Sequence, residues 1–181
     1  KLKKTFGKSL NDKPAVDIDV DFDLSEDNQE DFSIDNPITI KKGKITAILG
    51  HSGSGKSTLI SLLNLTEDYD DGSVFKYKDI DYNTLTSKDR EKIRKEDFGV
   101  AFQAGHLISH IDTKTNIELP LSLQGVDKKS REKESEYLLK QLDIKETRFK
   151  SRPKELSGGE YQRIAIARAL SHNPKTIFAD E

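Results

Sequence analysis

Residues Gly50–Thr58 read GHSGSGKST, a stretch rich in glycine and serine that offers almost nothing for a hydrophobic core. The apolar run Ile45–Leu49 precedes it, and the helix-forming run Ser57–Leu65 follows it. The stretch matches the pattern G-x-x-x-x-G-K-[ST] at every fixed position, and a strand before it and a helix after it are the context that this pattern requires. The sequence therefore predicts a phosphate-binding loop that joins a strand to a helix.

The residue types of this loop explain how it would bind phosphate. Glycines adopt backbone angles that a β-carbon forbids, so successive N–H groups can point at a single anion. The helix that begins near Ser57 places roughly half a positive charge at its N-terminus. Lys56 is placed to reach the outer phosphates of a nucleotide, and the hydroxyl of Ser57 is placed to ligate Mg²⁺. The nucleotide-binding residues predicted in this loop are Gly50, His51, Ser52, Gly53, Ser54, Gly55, Lys56, Ser57 and Thr58.

Strand patterns and helix patterns alternate on both sides of the loop. Short apolar runs rich in β-branched residues predict strands, and apolar residues at helical spacing predict helices. This alternation favours an α/β fold with a parallel sheet. Strands are predicted at Asp17–Leu24, Ile38–Ile40, Ile45–Leu49, Ser73–Tyr77, Phe98–Phe102 and Thr176–Ala179. Helices are predicted at Ser57–Leu65, at Ser87–Lys95, within Asp112–Arg152 and at Gly158–Leu170.

Composition narrows the class of protein. The chain has 181 residues, of which 33% are hydrophobic, and this is enough for one domain with a core. Its 30 basic and 32 acidic residues give a net charge of −2, so the basic excess that indicates nucleic-acid binding is missing. There is no cysteine for a disulfide or a thiolate metal site. No apolar run approaches the ~20 residues of a membrane helix. The absence of methionine suggests that these residues belong to a longer gene product.

A second motif, Lys175–Glu181, reads KTIFADE. An apolar strand that ends in two carboxylates suits the far side of a nucleotide site. Asp180 is expected to hold the magnesium shell, and Glu181 is expected to polarise an attacking water. Strands also end in acidic residues at ordinary turns, but the phosphate loop upstream favours the functional interpretation.

A third motif, Leu156–Glu160, reads LSGGE and precedes a predicted helix. A serine followed by two glycines at a helix N-terminus repeats the anion-binding pattern of the first loop. The same residues also fit an ordinary capping box, with Ser157 as the N-cap and Glu160 closing the box. The motif alone does not separate these two interpretations.

Together, the motifs make the chain from about Asp31 to Glu181 resemble the ATP-binding subunit of an ABC transporter. The matching segments, in the expected order and approximate spacing, are GHSGSGKST, the AFQ that ends at Gln103, LSGGEYQRIAIARAL and TIFADE. NIELPLSL at Asn116–Leu123 and the glutamate of LSGGE are similar to the lipoprotein-release, macrolide-export and antimicrobial-peptide-resistance branch.

The resemblance implies a role for each matching residue. Gln103 would reach the magnesium ion and the attacking water, and would couple the site to a helical subdomain. Ser157, Gly158, Gly159 and Glu160 would form the signature that binds the γ-phosphate of the nucleotide held by a second subunit. The implied catalytic residues are Glu181, Lys56 and Gln103, and the implied metal ligands are Ser57, Gln103 and Asp180. Phe6 is the candidate for stacking on adenine, with Phe32 as a weaker rival.

The resemblance also implies an architecture and an assembly. The fold would be a P-loop NTPase with a RecA-like parallel sheet core, an N-terminal antiparallel β-subdomain and an α-helical subdomain. Residues 1–181 would form a single domain that is incomplete at its C-terminus, with the β-subdomain and phosphate loop in 1–105, the helical subdomain in 106–155, and the signature helix and second core strand in 156–181. Two copies, or one copy and a similar subunit, would bind two ATP·Mg²⁺ and drive an integral membrane permease from the cytoplasmic face of the membrane. No histidine of the chain takes the place of the family's later switch histidine.

Two other functions remain open at this point. One is a soluble ABC ATPase that is not linked to transport. The other is a nucleotide-binding fragment without turnover.

Overall fold

The computed structural model describes residues 2–4, 16–18, 20–22, 38–40, 42–68, 75–78 and 80–180. These residues form short β-strands and α-helices. The strands are β1 Leu2–Lys4, β2 Val16–Ile18, β3 Val20–Phe22, β4 Ile38–Thr39, β5 Phe75–Tyr77, β6 Ile80–Asp81, β7 Phe98–Ala101 and β8 Thr176–Ala179. The helices are α1 Lys56–Leu63, α2 Ser87–Asp97, α3 Thr113–Leu123, α4 Lys128–Gln141 and α5 Gly158–Leu170. Short 3₁₀ turns lie at Tyr82–Thr84, Glu146–Arg148 and Pro153–Glu155.

The chain divides into two compact units, Lys1–Arg90 and Glu91–Glu181. The first unit contains an antiparallel pair, β1–β2, and a mixed sheet in the order β4-β3-β5-β6. In that sheet β3 runs parallel to both β4 and β5, whereas β5 and β6 are antiparallel. The second unit contains the parallel pair β7–β8. Helices and parallel strands thus form the α/β fold predicted for a P-loop NTPase, and the three-part division at residues 105 and 155 stays a prediction.

The second unit is built around helix α5. Helix α3 packs against α4 and α5, and α5 in turn packs against strand β7. The buried residues of this core are Leu107, Ile117, Leu139, Ile144, Ile164, Ala165 and Ala167. Helix α5 therefore lies between the helical layer and the parallel strands, where a single element contacts both.

The strand predicted at Ile45–Leu49 is wrong for this structure. Residues 44–50 have no regular secondary structure, and Ile45 and Leu49 are 100% and 90% exposed. An apolar parallel strand is stable only with hydrogen-bonded neighbours and covered faces. In the described ranges this run has no strand partner, so its β-branched composition does not produce a strand.

The continuous strand predicted at Asp17–Leu24 is also wrong. Two separate strands, β2 and β3, occupy this stretch, and they belong to different sheets. The alternation of apolar and acidic residues indicates an extended backbone. It does not specify the hydrogen-bonding partner. Strand β2 pairs with β1, whereas β3 pairs with β4 and β5.

A buried asparagine holds the start of helix α3. The side chain of Asn116 is fully buried, and its Oδ1 accepts a hydrogen bond from the amide of Ile108 at 2.7 Å. Its Nδ2 donates to the carbonyls of Ile108 at 3.1 Å and Asp112 at 3.0 Å. One side chain therefore bonds to several main-chain groups of the segment before the helix.

We predict that Asn116→Ala lowers the free energy of unfolding by roughly 1–3 kcal/mol, because it leaves the Ile108 amide without its acceptor. Urea unfolding followed by circular dichroism measures this loss. Lys129→Ala, an exposed substitution on α4, is the control and should stay within about 0.5 kcal/mol of the unsubstituted protein. A loss for Asn116→Ala no larger than that of the control would contradict the assignment.

Candidate functional site

The phosphate loop of the first unit ends in a left-handed glycine that starts helix α1. Gly55 is the N-cap residue, with φ of 92°, and the helix begins at the next residue, Lys56. Gly53 also has a positive φ, 79°. Such angles are costly for residues with a β-carbon, so the glycines of the motif are required by the backbone itself.

The ammonium group of Lys56 closes the loop. Its Nζ donates to the carbonyls of Gly50 and His51, each at 3.0 Å. The amide of Ser54 donates to the carbonyl of His51 at 3.2 Å, which completes a turn. A β-carbon added at Gly50 would lie 2.5 Å from the Ser54 hydroxyl oxygen, so a larger residue there requires the Ser54 side chain to move. A positive charge therefore lies beside a narrow main-chain turn.

Helix α1 differs from the other helices at its N-terminus. Within the described ranges, no side chain caps α1. The starts of the other four α-helices are capped by the side chains of Thr86, Asp112, Asp127 and Ser157. The first amides of a helix have no partner inside the helix and are satisfied by side chains, water or a ligand. The uncapped α1 amides, next to Lys56, fit the phosphate groups of a nucleotide.

In the second unit, Gln103 and Asp180 lie at the carboxyl ends of neighbouring parallel strands. Strand β7 pairs with β8 so that Ala101 lies opposite Ala179. The amide of Asp180 donates to the carbonyl of Ala101 at 3.0 Å, which extends the pairing by one step. Two of the predicted magnesium ligands thus follow adjacent strand ends in the same unit.

The predicted signature residues form a complete capping box at the start of helix α5. The amide of Glu160 donates to the hydroxyl oxygen of Ser157 at 3.3 Å. The Glu160 carboxylate accepts from the amide of Ser157 at 2.8 Å and from its hydroxyl at 2.9 Å. Arg148 pairs with the same carboxylate at 3.3 Å. Hydrogen bonds from Ser157, together with the positive charge of Arg148, lower the pKa of Glu160 below its ordinary value.

Not every predicted site residue can be located. Phe6, Phe32 and Glu181 lie outside the described residues. The phosphate loop, Gly50 to Thr58, belongs to the first unit, and Gln103, Asp180 and the signature Ser157–Glu160 belong to the second. Their joint action on one nucleotide, and the individual roles assigned to them, stay predictions.

The described part of the chain contains neither a cluster of metal-binding side chains nor a helix that could span a membrane. No group of three or more His, Cys, Asp or Glu side chains gathers there. Magnesium in phosphoryl-transfer sites is held by one or two protein oxygens together with phosphate, so such a group is not required. None of the helices in the same residues has the length and apolarity needed to cross a membrane.

A cavity of about 440 Å³ in the second unit was not predicted from the sequence. Its lining includes apolar side chains from β7 and α3 together with cationic side chains. His172 lines this cavity, its Nε2 lies 3.0 Å from the carbonyl of Phe98, and burial lowers its pKa. The lining residues are Glu91, Arg94, Lys95, Phe98, Val100, Phe102, Leu119, Pro120, Leu123, Arg168, Ala169 and His172.

The loop that follows Gln103 is bound by helix α5, which sequence reasoning also missed. Arg168 donates to the carbonyls of Gly105 and His106 at 2.7 and 2.8 Å. The hydroxyl of Tyr161 accepts from the amide of Leu107 at 3.0 Å. Tyr161 and Arg168 are seven residues apart, about two helical turns, so the shared helix face was the available signal.

A left-handed glycine, a lysine and an uncapped helix start define the nucleotide-binding module of a P-loop protein. A model of the family described as "ABC transporter" matches residues 35–181. The chain therefore belongs to the ABC transporter family, and it resembles the ATP-binding subunits of that family along most of its length.

Curated relatives include ATP-binding proteins of two transport types. The chain is 42% identical over 144 residues to the methionine import ATP-binding protein MetN 1 of Bacillus cereus, which covers 80% of this chain and 41% of the relative. It is 40% identical over 145 residues to the lipoprotein-releasing system ATP-binding protein LolD of Aquifex aeolicus, which covers 80% of this chain and 63% of the relative. The chain thus spans less than two thirds of the length of these relatives.

Solved structures of the MJ0796 ATP-binding cassette have the same fold. A dimeric post-hydrolysis state of MJ0796 with ADP and Pi superposes with a TM-score of 0.79 at 31% identity. The match covers 99% of this chain and 71% of that chain. The similarity confirms the predicted class of fold.

We predict that Glu160→Gln destabilises the protein near neutral pH and has less effect in acid. The folded-state pKa of Glu160 is lowered, so its charge stabilises the fold above the ordinary carboxyl pKa of about 4.3. This contribution is lost as the pH falls through the lowered folded-state pKa. Thermal melting at pH 7 and at about pH 3 measures the difference.

Glu134→Gln, on helix α4 and away from the capping box, is the matched control. If the melting difference between the unsubstituted protein and Glu160→Gln does not shrink in acid, the ionic part of the capping box has no effect on stability.

Proposed function

We propose that the protein is the ATP-binding and hydrolysing subunit of an ABC transporter, and that two copies bind two ATP·Mg²⁺ between them and drive a membrane permease. The observation that carries the proposal is the uncapped start of helix α1 beside the lysine-closed loop. Those amides and the ammonium of Lys56 form a cationic nest of the kind that binds a triphosphate. The family membership supports the same function.

Binding of ATP would exchange the internal hydrogen bonds of the loop for bonds to phosphate. The ammonium of Lys56 now donates to the Gly50 and His51 carbonyls, and with ATP it would turn towards the outer phosphates. The α1 amides would donate to the same phosphates without any side chain being displaced. Because the donors are held in place before the reaction, they would stabilise the charge that develops on the γ-phosphate.

Oxygen donors of the chain would hold the metal and the water. The Ser57 hydroxyl, the Gln103 carboxamide and the Asp180 carboxylate are ligands that Mg²⁺ prefers. Bound Mg²⁺ supplies Lewis-acid stabilisation of charge on phosphate oxygens. Gln103 would orient the attacking water, and Glu181 would accept its proton. The position of Gln103 and Asp180 at adjacent strand ends supports this division of roles.

Dimerisation would bring the signature of one copy to the nucleotide of the other. Gly158 and Gly159 are exposed, and a β-carbon at Gly158 would meet no atom within 4 Å. The open backbone in the first turn of helix α5 leaves room for a second subunit and its γ-phosphate. The description of the MJ0796 cassette as a dimer supports a two-fold assembly of this chain.

The permease would dock at the cavity of the second unit. Apolar Phe102 and Leu123 lie there beside cationic Arg94, Lys95 and Arg168, so an amphipathic acidic segment of the permease fits its chemistry. The subunit would then lie on the cytoplasmic face of the membrane, attached through its partner.

Two directions of transport are candidates. The wording of Asn116–Leu123 and the glutamate of LSGGE favour the export or lipoprotein-extraction type. The 42% identity to a methionine import protein, against 40% to a lipoprotein-releasing one, supports an importer as the second candidate. Identification of the permease that co-purifies with the subunit separates the two.

We predict that Lys56→Ala raises the dissociation constant of ATP by roughly 100-fold, because a charge-assisted contact to phosphate is lost.

Glu181→Gln should leave binding unchanged and lower turnover by roughly 10²- to 10⁴-fold, since only the general base is removed. Calorimetry measures binding, and phosphate release measures turnover.

Lys44→Ala, an exposed lysine outside the loop, is the control for charge. Equal ATP affinity in Lys56→Ala and Lys44→Ala would overturn the nucleotide site. ATP binding without phosphate release, in the presence of the co-purified permease, would instead favour the fragment without turnover.

We predict that Leu123→Asp weakens permease binding by roughly 10- to 30-fold while basal ATP hydrolysis is retained. Leu123 is 62% exposed and lines the cavity, so a carboxylate there replaces an apolar contact and repels an acidic segment of the permease. Tyr137→Asp is the matched control, because Tyr137 is 56% exposed and lies away from the cavity. Pull-down of the permease measures the effect, and equal retention by the two variants would place the docking surface elsewhere.

A further inference from the structure

Helix α5 anchors the segment that follows Gln103. The amide of Gly105 donates to the carbonyl of Phe102 at 2.7 Å, so Gln103 lies inside a tight turn. Gly105, His106 and Leu107 all bond to α5, the first two through their carbonyls and Leu107 through its amide. On the helix side, the Arg168 guanidinium donates to both carbonyls, and the Tyr161 hydroxyl oxygen accepts from the Leu107 amide.

Gly105 and Tyr161 fit each other closely. A β-carbon at Gly105 would lie 2.3 Å from the Cε1 atom of the Tyr161 ring and 3.3 Å from the Cβ atom of Ala165. Gly105 also has a φ of 64°, which glycine adopts without strain. The absence of a side chain at Gly105 therefore lets the ring lie directly on the turn, and the phenol oxygen meets the Leu107 amide from there.

The same helix begins at the signature. Ser157 caps α5, Tyr161 follows one turn later, and Arg168 lies two turns further on. Burial lowers the pKa of the Arg168 guanidinium, which remains charged at neutral pH. A rigid helix thus connects the capped N-terminus at Ser157 with three hydrogen bonds on the segment after Gln103.

We propose that Tyr161 is a positioning residue for hydrolysis: its ring on Gly105 and its hydroxyl on the Leu107 amide hold the turn that presents Gln103 to the nucleotide. This inference rests on the proposed function, in which Gln103 orients the attacking water. Groups that orient a reacting water act within about 0.5 Å of their productive position. Loss of the bond at Leu107, just after the turn, would shift that position and leave the phosphate loop unchanged.

The first test removes only the hydroxyl. In Tyr161→Phe we expect the Leu107 amide of the nucleotide-free protein to exchange with deuterium roughly fivefold faster, because it loses its acceptor. We expect kcat to fall roughly 5- to 20-fold with KM for ATP unchanged within about twofold. Tyr137→Phe, on helix α4, is the matched control and should alter neither quantity.

The second test asks whether Tyr161 acts through Gln103. In a Gln103→Ala background, Tyr161→Phe should cause no further loss of kcat, because the group that it positions is gone. A merely structural role for Tyr161 would lower kcat by the same factor in both backgrounds and would lower the melting temperature. Additive losses would therefore overturn the proposal.

The third test uses the two left-handed glycines of the second unit. Gly105→Ala adds a β-carbon that meets the Tyr161 ring, whereas Gly125→Ala, at φ of 82°, meets nothing within 4 Å. Both substitutions strain the backbone, so Gly125→Ala controls for a left-handed alanine in general, and the excess loss in Gly105→Ala reports on the turn and its packing against Tyr161. We expect kcat to fall at least roughly tenfold more in Gly105→Ala than in Gly125→Ala. Equal losses would overturn the proposal.

The outcomes separate this inference from the proposed function. If the unsubstituted protein, with its co-purified permease, releases no phosphate, or if Lys56→Ala hydrolyses ATP as fast as it does, the proposed function is wrong and the inference fails with it. If hydrolysis depends on Lys56 but the Leu107 amide and kcat do not respond to Tyr161→Phe, only the inference is wrong.

Discussion

The amides in the first turn of a helix need hydrogen-bond acceptors from outside the helix backbone, and at helix α1 no side chain of the described residues supplies one. The other helices begin with Thr86, Asp112, Asp127 or Ser157, whose oxygens accept a first-turn hydrogen bond. At α1 a left-handed glycine takes that place, and Lys56 closes the loop beneath it. A capping oxygen there would compete with phosphate for the same donors. The missing cap and the lysine charge therefore favour the same occupant, an anion, and the proposed chemistry depends on both.

Helix α5 concentrates several requirements in one element. It packs on strand β7 and on helix α3, it is capped at the signature, and its Tyr161 and Arg168 bind the segment after Gln103. Arg168 also lines the cavity where we propose that the permease docks. An occupant of that cavity meets the same guanidinium that holds the Gly105 carbonyl. In the proposed assembly, docking and the position of Gln103 would share one side chain, which would link the permease physically to the nucleotide.

Local patterns in the sequence predicted what depends on local interactions. The bounds of Gly158–Leu170 and Thr176–Ala179 follow from a cap, a helical period and a short apolar run, and the structure confirms them. The strand at Ile45–Leu49 was wrong because a strand also needs a hydrogen-bonded neighbour, which composition does not specify. The contact of Tyr161 with the Leu107 amide joins residues 54 positions apart: helical spacing places Tyr161 and Arg168 on one face of α5 but does not identify Leu107 as the partner. The phosphate loop was predictable because its chemistry lies within nine consecutive residues.

The capping box at Ser157 and its proposed signature role are compatible only under an electrostatic condition. The Ser157 hydroxyl donates to the Glu160 carboxylate, so a γ-phosphate that approaches Ser157 also approaches a negative charge. Like charges at hydrogen-bonding distance repel each other, and a cation beside them offsets this repulsion. Arg148 pairs with the other Glu160 oxygen at 3.3 Å and offsets that charge. The hydroxyl must then exchange its carboxylate acceptor for a phosphate oxygen, while the Ser157 amide keeps its bond to Glu160 and the helix stays capped. In the proposed signature role, Glu160 would hold the backbone, and Arg148 would offset the charge of Glu160 next to phosphate.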